Sequence, residues 1–241
     1  MKRSTKNFFY TTACLSVLFA AFSAANVPVA VSQASCSSTA SPGVNWEGCR
    51  KRNLIMAEFD FSGSNFSKTD LSSSDLRNSN LSGSNLFKAN LVRASLMGVK
   101  ANAANFSGAI AYRTDFSGSK FADVNFSKAE ILRANFSGTE ILNSDMSKGE
   151  FSRVNFSGAK VMNVNFDFSN LARSDFRGAQ IVAPISMTGA YLFRTRFEGV
   201  DLSSVDGLED WQLKMACGNA STKLPAGFAK PDTWPCVEET D

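Results

Sequence analysis

Histidine is absent from all 241 residues. Its absence removes the commonest general base and the commonest transition-metal ligand together, so no Ser–His–Asp or Cys–His catalytic arrangement can be built. Charge is sparse as well: 25 Lys+Arg and 22 Asp+Glu amount to 20% of the chain and leave a net charge of +3. That excludes a charge-rich disordered chain. A glycine-rich phosphate loop and a C-x-x-C cluster of the zinc type are both missing. What the chain does have is apolar material, 44% hydrophobic residues with 21 Phe against three Trp and three Tyr, enough for a packed core. No cofactor, metal or enzyme activity is expected. The carboxylates fall at polar positions of a repeat, where no apolar pocket would tune them for proton transfer.

The N-terminus carries Lys2, Arg3 and Lys6 ahead of an apolar run from Phe8 to Ala25. A basic segment, an apolar segment and then small residues is the pattern of a secretory signal peptide. Cleavage is expected after Ala25 or after Ala34, each of which closes a small-x-small triplet. An uncleaved anchor is the competing reading, but Thr11, Thr12, Cys14 and Ser16 dilute the run, so no stable membrane insertion is expected after cleavage. Removing residues 1–34 takes away three cations and no acid, leaving 22 of each sign. A near-neutral mature chain gives no bulk charge for nucleic acid. The expected location is periplasmic or secreted.

Four cysteines remain after cleavage, Cys36 and Cys49 before the central region and Cys217 and Cys236 after it. In an oxidising compartment two local disulfides are the economical reading, although four cysteines allow three pairings.

From Phe59 the chain repeats every five residues (FDFSG, SNFSK, TDLSS and onward) through Ala183. One extra residue, Pro184, precedes four more blocks that end at Ser204, for 29 blocks in all. The third position is always apolar: Phe in 12 blocks, Leu in nine, and otherwise Ile, Met, Val, Ala101 or Ala111. The first position is nearly always small or β-branched, and the second is Asn or Asp in 17 blocks. Five residues advance an α-helix by about 140° beyond a full turn, which would smear the apolar series around its axis. On a strand an odd period flips the series to the opposite face at every repeat. The pattern requires a short in–out–in piece followed by a two-residue corner, and a chain that turns identically every five residues must coil.

Two series fix how many corners make a coil. Arg recurs at 93, 113, 133, 153, 173 and 194, and Gly at 98, 118, 138, 158, 178 and 199. Both return every 20 residues once Pro184 is counted, so four blocks make one coil, and the Gly series marks a corner where φ > 0 is favoured. The expected fold is all-β, a four-sided solenoid over 59–204 of about seven coils, stacked at about 4.8 Å. Open ends would expose core and unpaired backbone, so 35–58 and 205–241 are expected to cap it. In the second cap, Asp206–Ala216 reads as a short helix with Trp211, Leu213 and Met215 over the last coil.

The A-(D/N)-(L/F)-x-x pattern resembles the pentapeptide-repeat family, a resemblance that implies a right-handed quadrilateral β-helix. Trp46-Glu47-Gly48-Cys49 and the tail Ala216-Cys217-Gly218, Leu224-Pro225, Gly227, Pro231 and Trp234 are similar to the flanks of exported bacterial members. The resemblance also supplies an alternative function, since some cytoplasmic members mimic DNA and bind DNA gyrase. Near-zero mature charge and an export signal both argue against that role here.

The sharpest surface feature is the Arg column, Arg93, Arg113, Arg133, Arg153, Arg173 and Arg194. Lys68, Lys88, Lys128 and Lys148 lie at the preceding corner, and Tyr112, Leu132 and Phe193 project from the side between the two. Cations beside exposed apolar groups suit a partner-binding surface, with an envelope protein or anionic polymer as the expected partner. The bland alternative is a solvated corner in which Glu130 and Glu150 balance Arg133 and Arg153. On the opposite side, Leu142, Met162 and Val182 form an apolar stripe for a terminal segment to cover or for a homodimer contact.

The export reading has a direct check. N-terminal sequencing of the envelope form is expected to begin at Asn26 or Ser35; a form that still begins at Met1 and resists membrane stripping would establish an anchor.

Overall fold

The computed structural model describes residues 33–236. The expected export signal, apart from Gln33 and Ala34, lies outside the described residues.

The described chain is a four-sided parallel β-solenoid in which residues 20 apart stack. One column of bridged positions runs Asn45, Asn65, Asn85, Asn105, Asn125, Asp145 and Asn165. It continues through Ser186 to Asp206. Within a block, the second-position amide donates to the coil below and the third-position amide donates to the coil above. Thus Asn65 N donates to Val44 O at 2.8 Å and Phe66 N to Asn85 O at 2.7 Å. The corner is closed locally, Thr69 N donating to Phe66 O at 3.0 Å. Along two adjoining sides the bridges lengthen into strands β1 (Lys120–Ala122), β2 (Glu140–Leu142), β3 (Lys160–Asn165), β4 (Gln180–Ser186) and β5 (Val205–Asp206), paired in that order and all parallel. Pro184 sits in β4, where the register shifts.

Each position of the repeat now has a physical job. All third-position side chains are buried except Ile181, which is half-buried beside the Pro184 insertion. They form ring columns: Phe116, Phe136, Phe156, Phe176 and Phe197 follow one another at centroid separations of 4.7, 5.3, 4.6 and 5.3 Å. Ala101 and Ala111 are fully buried in a coil shared with Phe106 and Phe116. First-position side chains, the exposed Phe59 excepted, also point inward and are mostly short. Where they carry a hydroxyl, it donates either to a carbonyl of the coil below, as in Thr69 to Trp46 O at 2.6 Å and Ser174 to Phe151 O at 2.6 Å, or to one of its own coil, as in Thr139 to Phe136 O at 2.7 Å. These bonds keep buried oxygens satisfied. Second-position Asn and Asp accept the amide two residues on, for example Ser67 N to Asn65 Oδ1 at 3.1 Å, an Asx turn that sets up each corner. Their amides also donate down the column, Asn135 Nδ2 to Asp115 Oδ1 at 3.1 Å.

Several expectations need correction. Positive φ is not confined to the Gly corner: the fifth position takes it at all four, including Lys68 (56°), Arg93 (57°), Asn163 (52°) and Gly98 (70°). The coil begins at Asn45 rather than Phe59, so part of the predicted cap is itself coil and the stack exceeds the expected seven turns. Residues 44–58 keep the backbone pattern with Trp46, Cys49 and Met56 inside, but Arg50-Lys51-Arg52 hides the apolar period. At the other end the ladder runs past Ser204, with Cys217 on Arg196 and Lys223 on Asp201.

The caps follow from these ends. Cys36–Cys49 and Cys217–Cys236 are the two disulfides, each local. The C-terminal helix α1 is shorter than expected, Asp210–Met215. Trp211 stays 42% exposed, Leu213 is buried as expected, and the polar residue that closes the last coil is Gln212, fully buried. Its Nε2 donates to Met187 O and Ala190 O, both at 2.9 Å. Two terminal carbonyls need donors there, which an indole on the outer face of a one-turn helix cannot supply. Of the opposite stripe, Leu142 and Met162 are half-buried and Val182 is 39% exposed. No helix among the described residues is long and apolar enough to cross a membrane.

The in–out assignment is tested by neighbouring substitutions. Phe136→Asp removes about 1.5–3 kcal/mol of burial and adds an unpaired buried charge, so it is expected to unfold the protein or lower its melting temperature severely. Ser137→Asp, on the outside, is expected to change stability by less than about 0.5 kcal/mol. Equal melting shifts would overturn the assignment.

Candidate binding surface

The side that ends in the Arg column is built from the blocks ANLVR, AIAYR, AEILR, GEFSR, SNLAR and AYLFR. Its second positions form one bridge column, Asn90, Ile110, Glu130, Glu150, Asn170 and Tyr191. Its fourth positions, Val92, Tyr112, Leu132, Ser152, Ala172 and Phe193, point outward beside that column. The Arg residues stand at the corner itself. Arg93, Arg113, Arg133 and Arg153 are exposed; Arg173 and Arg194 are half-buried.

The backbone under these arginines is left-handed, with φ from 53° at Arg194 to 60° at Arg173. An L-residue with a Cβ costs roughly 1–2 kcal/mol in that conformation, a cost glycine does not carry. The neighbouring corner meets the same demand with glycine in six consecutive coils, 98, 118, 138, 158, 178 and 199. The fold therefore does not call for arginine at this corner.

Nor are the first four arginines of the column balanced locally. Arg93, Arg113, Arg133 and Arg153 form no ion pair among the described residues, and Glu130 and Glu150 pair with neither Arg133 nor Arg153. Glu150 instead accepts from Asn170 Nδ2 at 2.8 Å. Ion pairs cluster on the next side, where Arg177 Nη2 lies 2.6 Å from Asp175 Oδ2. There Arg153, Arg173 and Arg177 surround an open cleft with Asn155, Ser157 and Asp175.

The apolar groups form two clusters rather than one stripe, because Ser152 and Ala172 separate Leu132 from Phe193. The first cluster is Ile110, 41% exposed, with half-buried Tyr112 and Leu132. Arg113 Cζ lies 5.2 Å over the Tyr112 ring. The second is Tyr191 and Phe193, stacked at 6.2 Å, with Arg194 Cζ 5.9 Å from the Phe193 ring. Phe168 joins this end from the far edge. It takes the next place in the Lys68–Lys148 column and is 61% exposed. Its ring lies over Gly189, where a Cβ would come within 2.8 Å of it. Sequence reasoning passed over Phe168; the signal was an aromatic residue in a cationic series.

Proton-transfer chemistry finds no foothold in the shifted carboxylates. The Ser62 amide holds Asp60 below the usual range, and Arg77 does the same for Asp75. Burial pushes Asp175 up, but Arg177 outweighs it and the group stays low. The Lys223 hydrogen bond brings Asp201 to about 2. A general base needs a pKa moved toward neutrality, the opposite direction. Among the described residues no group of His, Cys, Asp and Glu could hold a metal.

If arginine is dispensable to the coil, Arg113→Gly, Arg133→Gly and Arg153→Gly together should leave the melting temperature unchanged or higher. A marked fall in calorimetry would show that the side chains hold the corner.

The described geometry has counterparts. A family model described as pentapeptide repeats matches eight copies over residues 52–83, 64–100, 102–138 and 150–182. No curated protein matches the chain in sequence. Among solved structures it is similar to HetL, a pentapeptide repeat protein involved in heterocyst differentiation regulation from the cyanobacterium Nostoc sp. strain PCC 7120. The identity is 18%, over 73% of this chain and 84% of that one, with a TM-score of 0.37. A trypsin-treated form of QnrB1, a plasmid-mediated fluoroquinolone resistance protein, is 15% identical over 78% of this chain and 88% of its own, with a TM-score of 0.49. A pentapeptide repeat protein of the Arabidopsis thaliana thylakoid lumen is 21% identical over 76% and 88%, with a TM-score of 0.21. With eight matched copies lying on a coil whose inward third positions are filled as the repeat demands, the chain belongs to the pentapeptide-repeat family.

Proposed function

We propose that the protein is a non-enzymatic, exported binding module of the bacterial envelope, and that its Arg side receives a protein or an anionic polymer. One observation carries the reading: six coils in succession place arginine on a left-handed corner where glycine would be cheaper, and four of the six have no ion pair among the described residues. A side chain kept against a backbone cost and left unbalanced is better explained by a partner than by the coil. The flanking apolar clusters, Ile110 with Tyr112 and Leu132, and Phe168 with Tyr191 and Phe193, supply the desolvated anchors such surfaces use. Export fits the two disulfides, which persist in an oxidising compartment.

The alternative, a DNA mimic, requires carboxylates in register along a face. Among the described residues no bridge column stacks more than two acids in succession, Glu130 on Glu150 being such a pair, and Lys100, Lys120 and Lys160 occupy another column. That arrangement supports the cationic reading.

The test uses polyphosphate as a simple polyanion and photo-cross-linking from position 112 in intact cells. Polyphosphate binding is expected to weaken as salt rises, through screening and counterion release. Arg113→Glu, Arg133→Glu and Arg153→Glu together should abolish both polyphosphate binding and cross-linking with little change in melting temperature. Ala103→Glu, Asn143→Glu and Asn163→Glu add three acids at the diagonally opposite corner on the same left-handed backbone, and should bind normally. If both triple variants bind and cross-link like the parent, the Arg column is only a solvated corner.

A further inference from the structure

The first coil, residues 44–63, is closed from below on only part of its circumference. The cap lies under the side that begins at Val44. There Ser35 N donates to Asn45 O at 3.0 Å, Gly43 N to Ser62 O at 2.8 Å, and Trp46 Nε1 to Ser38 Oγ at 3.0 Å. The stretch from Arg50 to Asp60 has coil above it and, among the described residues, none beneath. Its upward bonds are complete: Met56 N donates to Asp75 O at 2.7 Å, and Leu54 O accepts from Asp75 N at 2.8 Å. In the later coils up to Arg196 the second-position amide donates downward, as Asp75 N does. The corresponding amides here, Arg50, Ile55 and Asp60, donate to no acceptor among the described residues, and the carbonyls of Arg52 and Ala57 receive nothing. This is an open β-edge.

The same stretch exposes apolar groups that a further coil would cover. Ile55 is 85% exposed, Phe59 43% and Leu54 39%. Phe59 alone among the first-position residues of the 29 blocks is exposed. Charge brackets the apolar centre with opposite signs, Arg50 and Arg52 before it and Glu58 and Asp60 after it, all exposed. Turned about Ile55, the stretch is complementary to itself: position 50 meets 60 and position 52 meets 58. Arg52 also lies 3.9 Å from Asp70, and Glu58 near Arg77, contacts to the coil above that leave both side chains exposed.

We propose that this edge pairs antiparallel with the same edge of a second copy, the two-fold axis passing at Ile55. An isologous contact of this kind uses one patch twice and closes at two subunits. Each edge supplies the amides and carbonyls the other lacks, Ile55 meets its own image, and Arg50 and Arg52 meet the partner's Asp60 and Glu58. Head-to-tail stacking is disfavoured because the other end of the solenoid is closed by α1 and the Cys217–Cys236 loop. The inference does not depend on the Arg-side reading, since none of these residues belongs to that column.

Sedimentation of the full chain as expressed, over a concentration series, tests it. The expected result is a monomer–dimer equilibrium. Ile55→Asp should weaken it on the order of a hundredfold at an unchanged melting temperature, because Ile55 holds none of the core. Arg52→Glu and Glu58→Arg each turn two attractive contacts per dimer repulsive, and each alone should weaken it about tenfold. The double reversal restores opposite signs across the axis and should recover the parent affinity. A dimer indifferent to Ile55→Asp, a double reversal no tighter than the singles, or growth beyond two subunits would each overturn the proposal. So would a parent chain that stays monomeric throughout, which would assign the edge to the chain's own N-terminal residues or to another protein.

Discussion

Main-chain hydrogen bonds between stacked coils, joining residues mostly 19 or 21 apart on all four sides, are the constraint from which the rest of this structure follows. For Asn65 N to meet Val44 O and Phe66 N to meet Asn85 O, each block must have the same length and the same corner. A single added residue is absorbed only where β4 lengthens and the register shifts beside Pro184, and there Ile181 is drawn partly out of the core. The ladder also dictates side-chain size. Parallel coils stack at about 4.8 Å, which suits rings laid upon rings and leaves only a short residue beside them. Phe columns and Ser, Thr or Ala first positions are two consequences of one spacing.

Corners divide the labour differently. Nearly every fifth position is left-handed, Ala183 and Ser204 excepted, so the backbone asks for glycine or asparagine at all four corners. One corner largely complies, with six glycines in a row. The Arg corner does not, and the Lys corner complies only at Gly48, Gly108 and Gly189. Because the conformational demand is identical, the difference between corners measures something other than folding. This comparison between columns of one molecule is what separates the Arg side from an ordinary charged surface.

The two ends are unequal as well. At the C-terminal end Gln212, buried and bonded to two terminal carbonyls, stands in for a further coil, and Trp234 Nε1 reaches Ala216 O at 2.7 Å. At the N-terminal end Trp46 and the Cys36–Cys49 bond close one side, with Lys51 Nζ 3.7 Å from the Trp46 ring centroid and its pKa lowered by partial burial. The opposite sides of that coil, from Arg50 to Asp60, keep their downward groups unspent among the described residues.

The sequence by itself determined the coil. The period of five, its incompatibility with helix and strand, the 20-residue return of Arg and Gly, and the inward third position were all legible, because a repeat states its geometry 29 times over. It also located the Arg and Lys columns and the outward Tyr112, Leu132 and Phe193. Where the repeat loses its consensus the reading lost its footing. The coil through Arg50-Lys51-Arg52 and the rungs at Cys217 and Lys223 are held by backbone bonds to a well-patterned neighbour, and backbone bonds leave no residue signature. Which cysteines join, which residue of α1 turns inward, and that an arginine corner shares its backbone with a glycine corner depend on distances and torsions set by the whole stack. Only the tertiary structure decided those, since each is fixed by contacts between coils rather than by the residues of any one block.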